Sequence, residues 1–591
     1  MTGGRWVWDL ESNGLLDTIH TVWCIVCRNV DTDEVREFGP DVIQGALDLL
    51  AGADEIIGHN IIDYDLPALA IVYPEWTTSA KITDTLVLSR LLRGELFNDD
   101  AERNFSQDKF AKRLWGSHSL KAWGLRLGDF KDDYDGGWDA FSDVMMTYCV
   151  QDTAVTATLY KHFMSSKPSA VAVDMEHDAA SMCREIGSNG WTFNEKKATE
   201  LYAMLAQKRH GLEEDLKELF PAWEVEEDFL PKRDNKTLGY KAGEVFVKRK
   251  TVYFNPNSRQ HIHKSLVDKY KWKAKDWSPS GQAKIDETIL ENLPYPEAKR
   301  LAEFFLIQKR IGMLAEGNAA WLKKVSPDGK LRHRLVSNGC TSSRCSHQSP
   351  NLGQVPASRS PYGKECRELF SAPEGWVMCG SDLSGIELRC LAHYLFPYDG
   401  GDYAKQILEG DIHTFNQKAA GLATRDQAKT WIYATLYGGG DRLIGAIAGG
   451  GAKLGKRLKG DYDAAVPAFA TLKKNLKKAY LRGYIIACDG RVLKIRSEHR
   501  ALSQLLQSAG AIIAKQWVLL CFNEIKQKHG ADAHIMGWIH DEIQIACKNK
   551  EIAEDVGNIT GRMAEEAGRS LGIKVPICSE YSVGATWGQT H

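Results

Sequence analysis

The chain opens on two short apolar runs, Arg5-Trp6-Val7-Trp8-Asp9-Leu10 and Trp23-Cys24-Ile25-Val26-Cys27, each with the length and residue types of a strand. A third run, Trp376-Val377-Met378-Cys379-Gly380-Ser381, ends on Asp382, and a helix is predicted to start near Ser384. Residues 425–437 read as a helix that Thr424 and Gln427 cap and the glycines 438–440 stop. Between Ile535 and Cys547 two apolar runs flank His540-Asp541-Glu542, which predicts a hairpin with those three residues at its tip. Lys473-Lys474 and Lys477-Lys478 recur at i, i+4 and make one cationic helix face.

At 591 residues the length allows roughly four domains. With 43% hydrophobic and 26% charged residues, the composition is that of a globular protein and excludes a disulfide scaffold, a coiled coil and a disordered chain. The net charge of -2 hides a division: residues 1–160 carry -14 and the remainder +12. Residues 231–250 hold seven Lys/Arg against two acids, and residues 453–483 nine against two, patches that suit a phosphate backbone. The thirteen Cys lack regular spacing. Cys24 and Cys27 have no second pair to complete a metal site, so they read as buried strand thiols in a reducing compartment. No leader is visible in the first residues and no apolar stretch approaches the ~18 residues that span a bilayer, so a cytoplasmic location, the host's if the protein is viral, and no membrane are expected.

The acidic part holds its carboxylates in three places. A strand puts Asp9 and Glu11 on one face, where they repel each other unless a cation lies between them. Asp65 follows Gly58-His59-Asn60 at a strand-to-helix junction, with Asp63 as a nearby alternative. Tyr148 and Asp152 are neighbours on one helix face. Oxygen-only ligands suit Mg²⁺ or Mn²⁺ and not Zn²⁺. In this order D-x-E, N-x-x-x-Y-D and Y-x-x-x-D resemble the three signatures of the DEDD 3′–5′ exonuclease superfamily in its tyrosine variant. The resemblance implies Asp9, Glu11, Asp65 and Asp152 as ligands of two metals, Tyr148 as the residue orienting the attacking water, and an RNase H-like α/β domain over residues 1–165. The N-x-x-x-Y-D register favours Asp65 over Asp63.

In the basic part, Asp382 at a strand end, beside the Leu383 carbonyl, offers oxygens for Mg²⁺, with Glu387 in the next helix. Arg425, Lys429, Tyr433 and Tyr437 lie at steps of four, within about 120° of one another. Both cations sit toward the helix N-terminus, so they and the dipole converge on a polyphosphate. Adjacent acids at the hairpin tip, Asp541 and Glu542, are explained economically by a cation.

DLSGIELR, RDQAKTWIYATLYG and IHDEIQ resemble, in that order, motifs A, B and C of the family A DNA polymerases, the group of bacterial DNA polymerase I. The likeness covers nearly the whole chain, and its wording resembles the phage replicases of T-odd podophages. Phe254-Asn255-Pro256-Asn257-Ser258-Arg259-Gln260 is similar to the thumb signature. Arg344, the segment Pro350–Gln354, Gly410–Thr414 and Leu505–Ala511 also fit. The family implies a right hand: helical thumb and connecting helices at 166–335, palm at 336–412 and 486–591, and helical fingers at 413–485.

The resemblance further implies two Mg²⁺ per active site, with Mn²⁺ possible, held by Asp382, Leu383 and Asp541 with support from Glu542. Arg425, Lys429 and His413 would grip the phosphates of a deoxynucleotide, and Lys429 would donate a proton to pyrophosphate. Glu387, paired with Tyr433, would close the space under the sugar C2′. Tyr437 would stack near the templating base, while Arg344, Asn351, Gln354, Gln507 and His540 would contact the primer-template. Only 32 residues, 221–252, separate Phe220 from Tyr253, too few for the thumb insertion by which related phage enzymes recruit thioredoxin. Synthesis without thioredoxin, by a monomer that a replicative helicase-primase can accompany, is therefore expected. Two readings compete: the same polymerase with a silent exonuclease, and a nuclease whose C-terminal part only binds DNA.

Overall fold

The computed structural model describes residues 3–103, 112–129 and 134–591. Its first compact unit comprises residues up to Thr192, Arg332–Val355 and Phe370–His591; the second comprises Phe193–Leu331 and Pro356–Leu369.

The first unit begins with a five-stranded mixed sheet of β1 (Arg5–Ser12), β2 (Val22–Asn29), β3 (Val35–Phe38), β4 (Glu55–Gly58) and β5 (Lys81–Asp84), in the order β3-β2-β1-β4-β5. β1 pairs antiparallel with β2 and parallel with β4. Alternation along β1 sends Trp6, Trp8 and Leu10 into one apolar layer and Val7 into the other, so both faces are covered. Helices α1 (Asp65–Val72), α2 (Thr85–Leu92), α3 (Leu96–Glu102) and α4 (Asp143–Met164) follow, and α5 (Ala170–Asn189) leads out of this region. Cys24 and Cys27 are fully buried and pack in different clusters on the two faces of β2, which makes them core thiols and excludes a shared ion.

The second unit contains α6 (Glu195–Leu219), a two-stranded ribbon of β6 (Trp223–Phe229) and β7 (Phe246–Val252), α7 (Arg259–Tyr270) and α8 (Pro296–Ile311). Phe220 and Phe254 pack against each other at the foot of the ribbon, their rings tilted and 4.6 Å apart between centres. Residues 221–252 thus fold on themselves as a hairpin, with Arg249 paired to Glu226 across it.

Returning to the first unit, β8 (Arg334–Val336) and β9 (Ser346–Gln348) form a hairpin. Then come β10 (Val377–Leu383), α9 (Ile386–Asp399), α10 (Ile412–Ala420), α11 (Arg425–Leu436) and α12 (Pro467–Arg482), with a small hairpin of β11 (Tyr484–Ile486) and β12 (Val492–Lys494). The long α13 (Ala501–His529), β13 (Ala533–Ile539), β14 (Glu542–Cys547), α14 (Lys550–Ser570) and β15 (Ser579–Gly584) complete the chain. The strands form an antiparallel sheet in the order β13-β14-β10-β15. Gly380 in β10 lets Gln544 and the Thr590 carbonyl approach to where a Cβ would sit. Among the described residues, the helical stretch Glu498–Asp532 is the one long and apolar enough to cross a membrane by composition, contrary to the expectation of none. Trp517, Ile512 and Val518 on it are wholly buried in the largest core, which explains its apolar character without a bilayer.

Candidate active sites

Two groups of carboxylates stand at strand ends in the first unit. In the first, Asp9 and Glu11 extend from the same face of β1. Their oxygens and the thiol of Cys149 lie within 4.8 Å of one another. Cys149 on α4 donates to the Asp9 carbonyl at 3.4 Å, which fixes that helix against β1. Tyr148 adjoins it, and Asp152, buried, follows three residues later, close to one turn away on the same side of α4. Asp65 begins α1 and is buried. Its carboxyl is pushed well above the ordinary range by burial, then by the charges of Asp9 and Asp84. Asp63, the alternative, is engaged by Arg334 at 2.6 Å. The structure thus sets Asp9 beside Glu11, brings the Asp9 charge to bear on Asp65, and turns Asp63 to another partner.

Asp84 escaped the sequence reading. Its carboxylate accepts from the backbone of Asn60 at 2.8 Å and of Ile62 at 3.1 Å, holding the turn that delivers Asp65. Asn60 there has φ 71°, which an Asn tolerates. Nothing in the spacing around Asp84 announces this role, because its partners are 22 and 24 residues away.

The second group lies where β10 meets the β13–β14 turn. Asp382 stands opposite Glu542 in the ladder, and the Leu383 amide donates to the Asp541 carbonyl at 3.0 Å. Burial, then the Asp541 and Glu542 charges, raises the Asp382 carboxyl to about 7. Burial, then Glu387, raises that of Asp541 to about 6. Gly385, at φ 58°, makes the left-handed turn into α9 that places Glu387. Asp382 therefore ends a strand and caps no helix.

The hairpin tip has two residues, not three. His540, at φ 60°, and Asp541 form the turn, while Glu542 begins β14 and is buried. Its carboxylate accepts from Trp587 Nε1 and from Gln544 Nε2 at 2.7 Å, and meets His591 Nδ1 at 3.0 Å. The C-terminal residues thus hold Glu542 beside the site, a contact that linear spacing does not reveal.

On α11 the capping box of Thr424 and Gln427 is present in both halves. Arg425 is bound to Asp411 at 2.7 Å, and that pairing holds the Asp411 carboxyl below its usual range. Lys429 is exposed. The ring of His413 lies 6.5 Å from that of Tyr433, and burial, then Arg425 and Lys429, lowers its pKa. Glu387 departs from expectation: it accepts from Tyr437 Oη at 2.8 Å and lies 3.8 Å from Arg344. Tyr433 feels its charge but Tyr437, one turn farther along, takes the hydrogen bond. Arg344, Glu387, His540 and Asp541 line one small cavity together with Leu506 of α13. Gln507 donates to Ser503 at 3.0 Å on the same helix. Asn351 and Gln354 are exposed in the turn after β9.

The donor chemistry of both groups fits a hard divalent cation. Clustered carboxylates raised by burial and mutual repulsion are relieved by a cation. Among the described residues, neither Asp382 nor Asp541 has a Lys or Arg ion-pair partner within 4 Å, and the weaker pull of His591 on Asp382 and of Arg344 on Asp541 leaves both carboxyls raised.

The sequence model described as DNA polymerase family A matches residues 235–589. The DNA-directed DNA polymerases of Enterobacteria phage T3 and Escherichia phage T7 are each 34% identical to this chain, with 99% of both chains covered. Those alignments run over 709 positions against 591 residues, so these relatives carry segments this chain lacks. The thermostable DNA polymerase I of Thermus aquaticus is 27% identical over 56% of this chain and 42% of its own. In fold, the chain is similar to the POL domain of Pol1 from M. smegmatis, solved with DNA primer-template and dNTP, at a TM-score of 0.74, 16% identity and 99% and 96% coverage. Matched by its family model over more than half its length and by full-length relatives, the chain belongs to DNA polymerase family A.

Proposed function

We infer that this protein is a DNA-directed DNA polymerase of phage replication, with a 3′–5′ proofreading exonuclease in its N-terminal part. The observation that carries the polymerase reading is the pairing of Asp382 and Asp541 at adjoining strand ends, both held above the ordinary carboxylate range by burial and neighbouring charge. Asp382, Asp541 and the Leu383 carbonyl would hold Mg²⁺ in this site, and Asp9, Glu11, Asp65 and Asp152 in the other, with Mn²⁺ as a substitute. Bound there, the ions supply Lewis-acid activation of the attacking oxygen and neutralise charge on the leaving group.

The remaining work belongs to the chain. Arg425, Lys429 and His413, gathered at the start of α11, bind the triphosphate, aided by the helix dipole. Arg425 exchanges Asp411 for phosphate as it does so. Lys429, exposed and unpaired among the described residues, donates the proton that pyrophosphate takes up. Tyr433 and Glu387 bound the sugar, so Glu387 leaves Tyr437 when a nucleotide arrives and Tyr437 is freed to stack at the template. Glu542, fixed by Trp587 and His591, supports Asp541. Arg344, Asn351, Gln354, Gln507 and His540 contact the primer-template, at minor-groove acceptors that correct pairs share. In the other site Tyr148 orients the attacking water. On this reading residues 1–165 serve as the exonuclease, 166–335 as thumb and connecting helices, 336–412 and 486–591 as palm and 413–485 as fingers, and the protein acts as a cytoplasmic monomer.

Primer extension and primer degradation, followed together on one labelled primer-template with Mg²⁺, test the reading. Asp382→Ala abolishes extension and leaves degradation; Asp9→Ala with Glu11→Ala does the reverse. A wild type that only degrades with all four nucleotides present would return the chain to a nuclease. One that extends but never degrades would leave a polymerase with a silent exonuclease.

A further inference from the structure

Lys515 of α13 is wholly buried, and so is Glu176 of α5, whose carboxylate it contacts. Arg491, between β11 and β12, reaches the same carboxylate at 2.6 Å and also pairs with Asp489 at 2.6 Å. Two acids and two bases thus form a neutral cluster sealed from water, joining three segments distant in sequence. For stability such a cluster is a poor investment, since apolar residues of similar volume usually serve as well. Its geometry shows another use. Lys515 Nζ also donates to the Ser343 carbonyl at 3.4 Å, and Ser508, two turns earlier on α13, donates to the Ser342 carbonyl at 3.1 Å. Ser343 has φ 61°, a left-handed conformation that a serine keeps only when its surroundings hold it. The next residue is Arg344, whose guanidinium faces Glu387 and lines the cavity shared with His540 and Asp541.

We propose that the Glu176–Lys515 pair is a positioning device for the polymerase site, holding the Ser343 turn so that Arg344 is presented to the primer-template. This rests on the DNA-contact role assigned to Arg344 above. Arg344 touches DNA; Lys515 and Glu176 act through it. Because the clamp bears on α13 and α5 at once, a small loss of register at the buried cluster is transmitted to the guanidinium, and a misplacement of about 1 Å can cost roughly a hundredfold in rate.

The test replaces both members at once, Glu176→Gln with Lys515→Met, which leaves Arg491 balanced by Asp489 and no buried charge alone. Single-nucleotide insertion is measured with Arg344→Ala alone, with the double variant, and with all three changes. The expected result is a fall of roughly ten- to a hundredfold in kcat/KM for the double variant. Degradation of a single-stranded primer and the thermal midpoint should stay near wild type and so report an intact fold. In the double-variant background, Arg344→Ala should cost almost nothing further, the non-additivity of residues that act as one unit. If Arg344→Ala retains its full effect there, or the double variant inserts at the wild-type rate, the positioning role is overturned. If Arg344→Ala alone is without effect, the contact role of Arg344 falls first and this proposal with it. If the double variant loses its exonuclease as well, Glu176→Gln with Lys515→Gln, which keeps a donor to Ser343, is compared. Recovery of the exonuclease without insertion overturns the proposal, and recovery of both upholds it.

Discussion

Glu542 shows how much one carboxylate can depend on residues far along the chain. Removing it in Glu542→Ala strands Trp587 Nε1 and Gln544 Nε2 in the core, at a cost of about 1–3 kcal/mol, and loosens Asp541. A lowered thermal midpoint and slower extension should appear together. With Tyr433 set against the sugar as proposed, Tyr433→Phe removes a hydroxyl that can stand in for the one a chain terminator lacks, so relative use of dideoxynucleotides should fall roughly tenfold, the size of one lost hydrogen bond. Competition between a dideoxynucleotide and its natural counterpart measures this. Glu176 sets an acid limit on folding. Burial alone would raise its carboxyl, but Lys515 and Arg491 outweigh that and bring it down to about 2, below the unfolded value of 4.5. A depressed pKa gives stability that is fully present above 4.5 and drains away as pH falls from 4.5 toward 2. Thermal unfolding across that window should show the midpoint dropping, and dropping less steeply in Glu176→Gln with Lys515→Met.

Elements with a strong local signal were readable before any contact was known. Thr424, Gln427 and the glycines 438–440 delimit α11 because a cap, a box and a stop are each local chemistry. Thr424→Ala should cost about 1 kcal/mol and fray the turn that carries Arg425. With the phosphate role proposed for Arg425, that should raise KM for nucleotide more than it lowers kcat. Elements whose ends depend on partners were misjudged by small amounts. Glu542 joined β14 instead of the turn, because Trp587 and His591 cover it, and Tyr437 met Glu387, because α9 and α11 approach at a point that periodicity cannot locate. The helix after Asp382 starts at Ile386, two residues beyond the expected start, because Gly385 turns left-handed first.

Across the whole molecule the division of charge predicts behaviour that no single contact sets. Binding to primer-template should weaken linearly in log affinity against log salt and show little dependence on sequence, as expected when phosphates dominate. Titrations at several salt concentrations on two unrelated duplexes decide this. Residues 221–252 close on themselves as a short ribbon anchored by Phe220 and Phe254, so added thioredoxin should leave product length per binding event unchanged. A marked lengthening would refute that expectation. The sequence by itself determined the chemistry: which carboxylates, cations and aromatics stand at which spacing, and hence the family, since motif order and local capping are properties of the chain alone. Tertiary structure decided which of those groups meet. Asp84 under the Asn60–Ile62 turn, Arg334 on Asp63, His591 on Glu542 and Lys515 under the Ser343 turn are contacts between residues 22 to 271 apart, which no local signal brings together; those at Glu542 and Lys515 persist because leaving buried polar groups unpaired is too costly.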